Sequence, residues 1–299
     1  MHNGISKLRI LITGCAGSIG SKLIEKLIEN ENIIPTEIRG IDTFEEGLFE
    51  LEQKYIKFKN LHFYRGDIQF KESIIRFFED IDLVFHCAAM KHVFLSEKSP
   101  REVLQTNIVG LQNILDICYL QNVKKFVFTS SDKAVNPTNV MGTSKLMGER
   151  LVTAANSLQI NNKCIYSSVR FGNVLGSSGS VIPLFKNQIL NGGPVTITDY
   201  DMTRFIMNLD EAVNLIINSS DIALGGEVFI TKMPSIRIID LAKAMIEIFD
   251  DQGIIQKSSI EILEIGAKPG EKIMEELMNE EEQRRAIELR DFYSIIPAF

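Results

Sequence analysis

A chain of 299 residues with 45% hydrophobic content is long enough to bury one large core or two fused lobes. Its formal net charge of -7, with both signs spread along the sequence, leaves no basic stripe and argues against nucleic acid as a partner. The four cysteines, Cys15, Cys87, Cys118 and Cys164, lack metal-ligand spacing and form no CxxC pair, so they read as buried thiols of a reducing compartment. The start, Met1 to Lys7, is short and polar, and no apolar run approaches the roughly 20 residues of a membrane span. A cytoplasmic protein with no membrane partner is expected.

In chain order, short apolar runs alternate with longer amphipathic ones. Arg9–Ile12 reads as a buried strand, followed by a helix from about Ser18 to Asn30. Further strands are predicted at Glu37–Ile41, Leu61–Tyr64, Leu83–His86, Lys125–Phe128 and Cys164–Arg170, with helices near 45–55, 70–79, 99–121 and 139–158. This alternation predicts a parallel sheet covered on both faces, and right-handed crossovers make it doubly wound. Beyond Arg170, Gly172, Gly176, Gly179, Gly192, Gly193 and Pro194 mark loops. They separate short strands (Val195–Thr198, Glu227–Ile230, Ser259–Leu263) and helices near 210–219 and 236–249. The fold class is therefore α/β. A doubly wound parallel sheet, residues 1–171, carries a smaller mixed α/β lobe, residues 172–299, partly interwoven with it. Helices 99–121 and 139–158 often pair across a dimer interface in such folds, so a homo-oligomer, dimer or higher, is expected. Leu104, Ile108, Leu111, Ile114 and Leu115 could equally face the sheet.

The segment Thr13-Gly14-Cys15-Ala16-Gly17-Ser18-Ile19-Gly20 sets glycines at GxxGxxG spacing directly after a strand and before a helix. Gly14 suits a tight turn, Gly17 the approach of a pyrophosphate, and Gly20 close packing of helix on strand. The phosphates would rest on the helix N-terminus, which adds Ser18 and Ile19 to the cofactor contacts. Asp42 ends the second strand, 22 residues after Gly20, where an acid accepts hydrogen bonds from the adenosine ribose and repels a 2′-phosphate. Thr43, Phe44, Glu45 and Glu46 follow it and no Arg does, which favours NAD over NADP. After the third strand, in Gly66-Asp67-Ile68, Asp67 suits the adenine amino group with Ile68 beside it; a plain turn residue is the alternative.

The fifth strand ends in Thr129-Ser130-Ser131-Asp132-Lys133, and Met141 and Lys145, four apart, share a face of the next helix. In this architecture a strand-five hydroxyl such as Ser131 faces a Tyr-x-x-x-Lys pair. The Tyr is the base, and the Lys holds the nicotinamide ribose and lowers the Tyr pKa. Here Met141 stands at the Tyr position, and a thioether takes no proton. Either the chain binds cofactor without turnover, or its acid–base chemistry has moved. Asp132 and Lys133, opposite charges at a strand's C-terminal end, favour the second; an exposed turn ion pair is the bland alternative.

Longer blocks add a family likeness: Phe85-His86-Cys87-Ala88-Ala89-Met90-Lys91-His92-Val93, Thr106-Asn107-Ile108-Val109-Gly110, Ser131 to Gly142, Val169 to Val181, Met202-Thr203-Arg204-Phe205 and Lys268-Pro269-Gly270-Glu271-Lys272. From about residue 8 to 280 the chain resembles the bacterial nucleotide-sugar 4,6-dehydratases of the polysaccharide-biosynthesis type. These act on UDP-N-acetylglucosamine and have the extended short-chain dehydrogenase (Rossmann) fold. It is most similar to members with Met at position 141, a branch associated with retention at sugar C5. Cys15 replaces a more usual small residue in the glycine loop, and Leu289–Phe299 matches nothing assignable. Larger relatives carry an N-terminal membrane region with no counterpart in these 299 residues.

The resemblance implies NAD as cofactor, with Ala88 and Ala89 on its wall, and a UDP-sugar as substrate. It implies oxidation at sugar C4, loss of the C5 proton to Lys133, departure of the C6 hydroxyl with a proton from Asp132, and reduction at C6. It places Lys91 and His92 at the sugar and phosphate end, Asn173 and Arg204 on the diphosphate, Glu271 on the nucleotide ribose and Thr196 near the uracil or ribose. Arg204 and Glu271 could instead be ion pairs between lobes, and His92 an ordinary loop residue. Asn107 is expected to support the active-site helix, and no metal is called for. A water held by Ser131 and Lys145 is the candidate acceptor of the C4 hydroxyl proton. Two rivals stand beside the dehydratase: a UDP-hexose 4-epimerase, which would be expected to keep the Tyr, and a silent NAD-binding regulator. GDP-linked sugars are not excluded.

Overall fold

The six predicted apolar runs form six parallel strands: β1 (Arg9–Thr13), β2 (Glu37–Asp42), β3 (Leu61–Arg65), β4 (Leu83–His86), β5 (Lys125–Ser131) and β6 (Ile165–Phe171). The computed structural model describes residues 7–29, 35–158, 164–177, 180–256 and 259–298. Residue 30 of the first predicted helix, and Ser178 and Gly179 of the later glycine segment, lie outside the described residues. The remaining strands are β7 (Asn173–Val174), β8 (Val195–Ile197), β9 (Thr203–Met207), β10 (Val228–Thr231), β11 (Ser235–Arg237), β12 (Ile262–Glu264), β13 (Ala286–Glu288) and β14 (Phe292–Ile295).

The main sheet runs β13-β14-β10-β6-β5-β4-β1-β2-β3. Thr13 pairs with Ile41 of β2 on one side and His86 of β4 on the other. The strand order therefore reverses at β1, and a crevice opens between the loops after β1 and β4. The pleat sends alternate residues to opposite faces. Ile10 and Ile12 join one core with Leu23, Leu27 and Leu215. Leu11 joins the other with Val84, Phe126 and Ile114. Leu111, Ile114 and Leu115 all lie in that second core, so they face the sheet, while Leu104 remains 47% exposed.

Two predicted helices differ in the structure. The 70–79 stretch is a single turn, Lys71–Ile74, followed by a 3₁₀ segment, Ile75–Phe78, which buries Phe77 and Phe78. The 99–121 stretch is Pro100–Val103, a wide π turn over Leu104–Val109, then Gly110–Leu120. The π turn carries Asn107, whose side chain points into the protein; such turns recur where a helix must present one residue out of register.

Beyond Phe171 the chain builds a small lobe and also returns to the large sheet. β10 lies parallel to β6, and β14 antiparallel to β10, so the unassigned stretch 289–299 contributes a strand to the main sheet. The lobe's own core gathers Phe185, Ile189, Val195, Ile197 and Met245. Its helix Val181–Leu190, and β9 and β11, were not expected from the sequence. The late strand predicted at 259–263 is β12, Ile262–Glu264, paired with β8.

Candidate active site

At the C-terminal ends of β1, β4, β5 and β6 lies a cleft of about 800 Å³. The glycine loop builds one end of it, with Ser18 and Ile19 opening the helix Ser18–Glu29 on its wall. Gly14 turns with φ +70°, and a Cβ there would lie 2.6 Å from the Ala88 nitrogen. At Gly20 a Cβ would collide with the Gly14 carbonyl. Gly17, Ala88 and Ala89 complete a cradle that side chains would fill, and a dinucleotide pyrophosphate fits it.

Asp42 lines the same end. Its carboxylate accepts hydrogen bonds from the N–H groups of Ala16 (2.9 Å) and Phe44 (3.0 Å), which ties the loop to β2. Asp67 and Ile68 also line the cleft, and Asp67 accepts from the Gln69 N–H at 2.9 Å, holding its own turn. Arg65, absent from the sequence reading, pairs in register with Asp42 and lines the cleft beside it. It sits 23 residues along the chain from Asp42, so a search for an Arg close behind the acid does not find it.

The chemical end is built by β5, the turn after it and the helix Val140–Leu158. Ser131, Lys133, Met141 and Lys145 all line the cleft. Lys145 donates to the Thr129 carbonyl at 2.8 Å and lies 4.8 Å from the Phe128 ring centre. Burial pushes its ammonium down to about 8, against smaller opposing contributions from Cys87 and Glu149. His86 is buried beneath it, paired through Nδ1 with Thr13 Oγ1 at 2.7 Å. Burial, then the Lys145 charge, pushes His86 down to about 3, so the imidazole is neutral.

Asp132 is fully buried and does not line the cleft. An exposed turn ion pair is thereby excluded. Its Oδ1 accepts from Ser131 Oγ (2.8 Å) and Lys133 Nζ (2.9 Å), while its Oδ2 has no hydrogen-bond partner among the described residues. Lys133 Nζ also donates to Asn173 Oδ1 at 3.3 Å, so Asn173 reaches the cleft wall as a partner of the lysine. A second carboxylate, Glu275, approaches the same ammonium at 3.8 Å. Burial raises its pKa; Lys133 opposes that shift and Asp132 adds to it.

Asn107 braces this end. Its Oδ1 accepts from the Met90 N–H (2.8 Å), and its Nδ2 donates to the Met90 carbonyl (3.0 Å) and to Ser144 Oγ (2.9 Å). The loop after β4, which puts Lys91 and His92 on the cleft, is thus fastened to the active-site helix. Thr196, Arg204 and Glu271 are not among the residues lining the cleft. Thr196 bonds both ends of Gln188, at 2.7 and 3.1 Å. Arg204 spends one nitrogen on the carbonyls of Thr203 (2.7 Å) and Ile273 (3.2 Å). Glu271 accepts from the Lys268 N–H at 3.2 Å and Thr198 Oγ1 at 3.4 Å. Each has at least one polar atom engaged within the small lobe.

The family description "polysaccharide biosynthesis protein" matches residues 10–297. The chain belongs to that family. The match leaves out only a few residues at either end, so both lobes and the cleft belong to it. An uncharacterized membrane protein of Methanocaldococcus jannaschii is 46% identical over 288 residues, covering 96% of this chain and 85% of its own length. A UDP-N-acetylglucosamine 4,6-dehydratase (inverting) of Campylobacter jejuni is 36% identical, covering 98% of this chain and 84% of its own. A UDP-glucose 4-epimerase of Rickettsia canadensis is 38% identical, covering 96% and 82%. The crystal structure of Pen from Bacillus thuringiensis superposes with a TM-score of 0.94 at 42% identity, covering 100% of this chain and 90% of that one. The family thus includes nucleotide-sugar dehydratases and epimerases on one scaffold. Among the described residues no helix is long and apolar enough to cross a membrane.

Proposed function

We propose that this chain is a UDP-N-acetylglucosamine 4,6-dehydratase that uses NAD, retains configuration at sugar C5 and releases a UDP-4-keto-6-deoxy-N-acetylhexosamine for glycan biosynthesis. One observation carries the reading: Lys133 presents an amine on a cleft wall, backed by Asp132 and Glu275, where Met141 offers no hydroxyl. When bound, NAD supplies the oxidation and the reduction that the sugar carbons need and is regenerated in each turnover. The glycine cradle and Asp42 hold it, with Asp42 disfavouring a 2′-phosphate.

A ketone at sugar C4 acidifies the C5 proton, and Lys133 is placed to take it. The buried Asp132 is connected to the cleft through Lys133 and Ser131, both bonded to its Oδ1. A proton for the departing C6 hydroxyl therefore travels by way of those two groups. Lys145 steadies the nicotinamide ribose and, with Ser131, holds the water that takes the C4 hydroxyl proton. Lys91, His92 and Asn173 meet the sugar and diphosphate. Arg204, Glu271 and Thr196 act from the small lobe on the nucleotide side. The enzyme works in the cytoplasm as a homo-oligomer, with the helices at 99–121 and 139–158 at the contact, where Leu104 is exposed.

The epimerase reading has the similarity to a named UDP-glucose 4-epimerase in its favour. An epimerase needs no acid–base group at C5, however, and Lys133 with its two carboxylates would then be idle. Incubation with UDP-N-acetylglucosamine in deuterated water, followed by NMR and mass spectrometry, separates the readings. Loss of one water, a new C6 methyl and deuterium at C5 are expected. Conversion to the galacto isomer without loss of water would establish the epimerase. No change, even with added NAD and other sugar nucleotides, would leave a silent binding protein.

A further inference from the structure

Besides the cleft-lining residues that follow β6, such as Asn173 and Ser177, the small lobe approaches the site through a second segment. Gly270 accepts hydrogen bonds through its carbonyl from Thr138 Oγ1 (3.1 Å) and Asn139 Nδ2 (2.9 Å). Lys272 Nζ donates to the Val135 carbonyl at 2.7 Å, and Asn136 Nδ2 donates to Glu276 Oε2 at 2.8 Å. Thr203 N–H and Arg204 hold the Ile273 carbonyl from the other side. Residues 270–276 are therefore strapped onto the turn that carries Asp132 and Lys133. The strap delivers the Glu275 side chain, 3% exposed, to within 3.8 Å of Lys133 Nζ. Its Oε2 has no hydrogen-bond partner among the described residues.

A buried carboxylate oxygen without a hydrogen bond is costly and calls for a reason; Lys272 Nζ, 4.0 Å from Glu275 Oε2, offsets its charge without bonding it. Around Glu275 stand Lys133 and Asp132 from the catalytic turn, Arg204 from β9 and Lys272 from its own segment. Asp132 likewise leaves Oδ2 without a partner. Two carboxylates, each with one oxygen that accepts no hydrogen bond among the described residues, thus flank one primary amine; Lys272 Nζ stands 4.0 Å from the Glu275 one. To remove a proton from carbon, Lys133 must first be an amine and not an ammonium. A neighbouring carboxylate can accept the extra proton without net change of charge in the dry corner.

We propose that Glu275 is a positioning residue and proton reservoir for Lys133, deepening the dehydratase reading above and resting on it. The lysine ammonium passes one proton to a Glu275 oxygen, which leaves a neutral amine and a carboxylic acid. The amine takes the C5 proton and becomes ammonium again. The ammonium protons exchange with solvent, one of them is delivered when C5 is reprotonated, and the carboxylic acid returns its own to the amine. The present 3.8 Å separation closes by a small rotation of the flexible lysine stem.

The test compares wild type, Glu275→Gln and Glu275→Asp with UDP-N-acetylglucosamine. Each is assayed for kcat, KM, the pH dependence of kcat, thermal unfolding and copurifying NAD. Gln is isosteric and cannot store a proton. Its kcat is expected to fall about 100-fold, in the range of general acid–base effects, with KM, unfolding and NAD content unchanged. Its rate should rise with pH where wild type is flat, because the amine must now form by losing its proton to solvent. Asp restores the flat profile and part of the rate. A Gln variant with wild-type kcat and pH profile would overturn the proposal. So would an Asp variant that behaves like Gln in every readout, or a Gln variant that only unfolds while Asp keeps wild-type rate and a rising profile. A wild type that loses no water overturns the dehydratase reading itself, which is visible before any variant is made.

Discussion

Two buried clusters in this protein have the same composition, one cation between two carboxylates, and opposite character. Arg170 is clamped by Glu149 through Nε (2.8 Å) and Nη2 (2.7 Å) and by Glu282 through Nη1 (2.9 Å) and Nη2 (2.6 Å); Nη1 also reaches the Leu277 carbonyl at 3.1 Å. Ser130 Oγ donates to Glu149 at 2.6 Å, so every carboxylate oxygen there is engaged. Around Lys133 the contacts are 2.9, 3.3 and 3.8 Å, and two oxygens accept no hydrogen bond among the described residues, one of them 4.0 Å from Lys272 Nζ. A guanidinium cannot give up its proton and fixes two carboxylates by its planar fork; an amine can, and holds its partners loosely. The saturated cluster locks β6 and the helix after β5 to the C-terminal segment, and the unsaturated one keeps protons mobile.

Exchanging each cation for methionine is the sharpest way to break the comparison. Lys133→Met should cut turnover by about 10³-fold or more per folded molecule, read by product NMR; it also strands buried Asp132 and Glu275, but its looser contacts should make its loss of stability in denaturant unfolding smaller than that of Arg170→Met. Arg170→Met strands two buried carboxylates and should cost about 3–5 kcal/mol of stability in denaturant unfolding. Activity per folded molecule should fall far less than in Lys133→Met. If Lys133→Met unfolds the protein and Arg170→Met does not, the two assignments are reversed.

A smaller effect concerns Lys145, the third buried cation. Burial holds it at about 8, below its ordinary 10.5. Between those values the unfolded chain binds the proton and the folded chain does not, so this group's penalty is fully present below about pH 8 and disappears as pH rises. Wild type should gain on Lys145→Met by about 1.4 kcal/mol per pH unit across that window. The difference between the two proteins is the readout, since the cysteine thiols titrate in both. A pH-independent difference would mean the ammonium is hydrated in solution. Smallest of all, Met141→Ala should keep turnover within about tenfold, because its thioether transfers no proton; complete loss would put the C4 proton in the hands of whatever Met141 positions.

The large sheet was legible because each of β1 to β6 is an apolar run with turn residues around it, and the gathering of the glycine loop and Asp42 at one end of the cleft was legible because loop, strand and acid lie within a span of 30 residues. The rest depended on distance. Glu275 meets Lys133 across 142 positions of sequence, and nothing local marks it apart from Glu276 beside it. The helix Val181–Leu190 carries Pro183 in its first turn and lies between Gly179 and Gly192, so it reads as loop. The π turn at Leu104–Val109 follows from the inward bonds of Asn107, which no periodicity reveals. The stretch 289–299 becomes a strand only because β10 is there to pair with it.

The strap at residues 270–276 carries a lesson for redesign. A transplant of the small lobe between relatives would move more than a binding surface, because the lobe also delivers Glu275 and bonds the backbone of Val135. A graft cut at the seam between the lobes would swap reactivity along with selectivity, so residues 132–139 and 270–276 have to travel together as one inherited module.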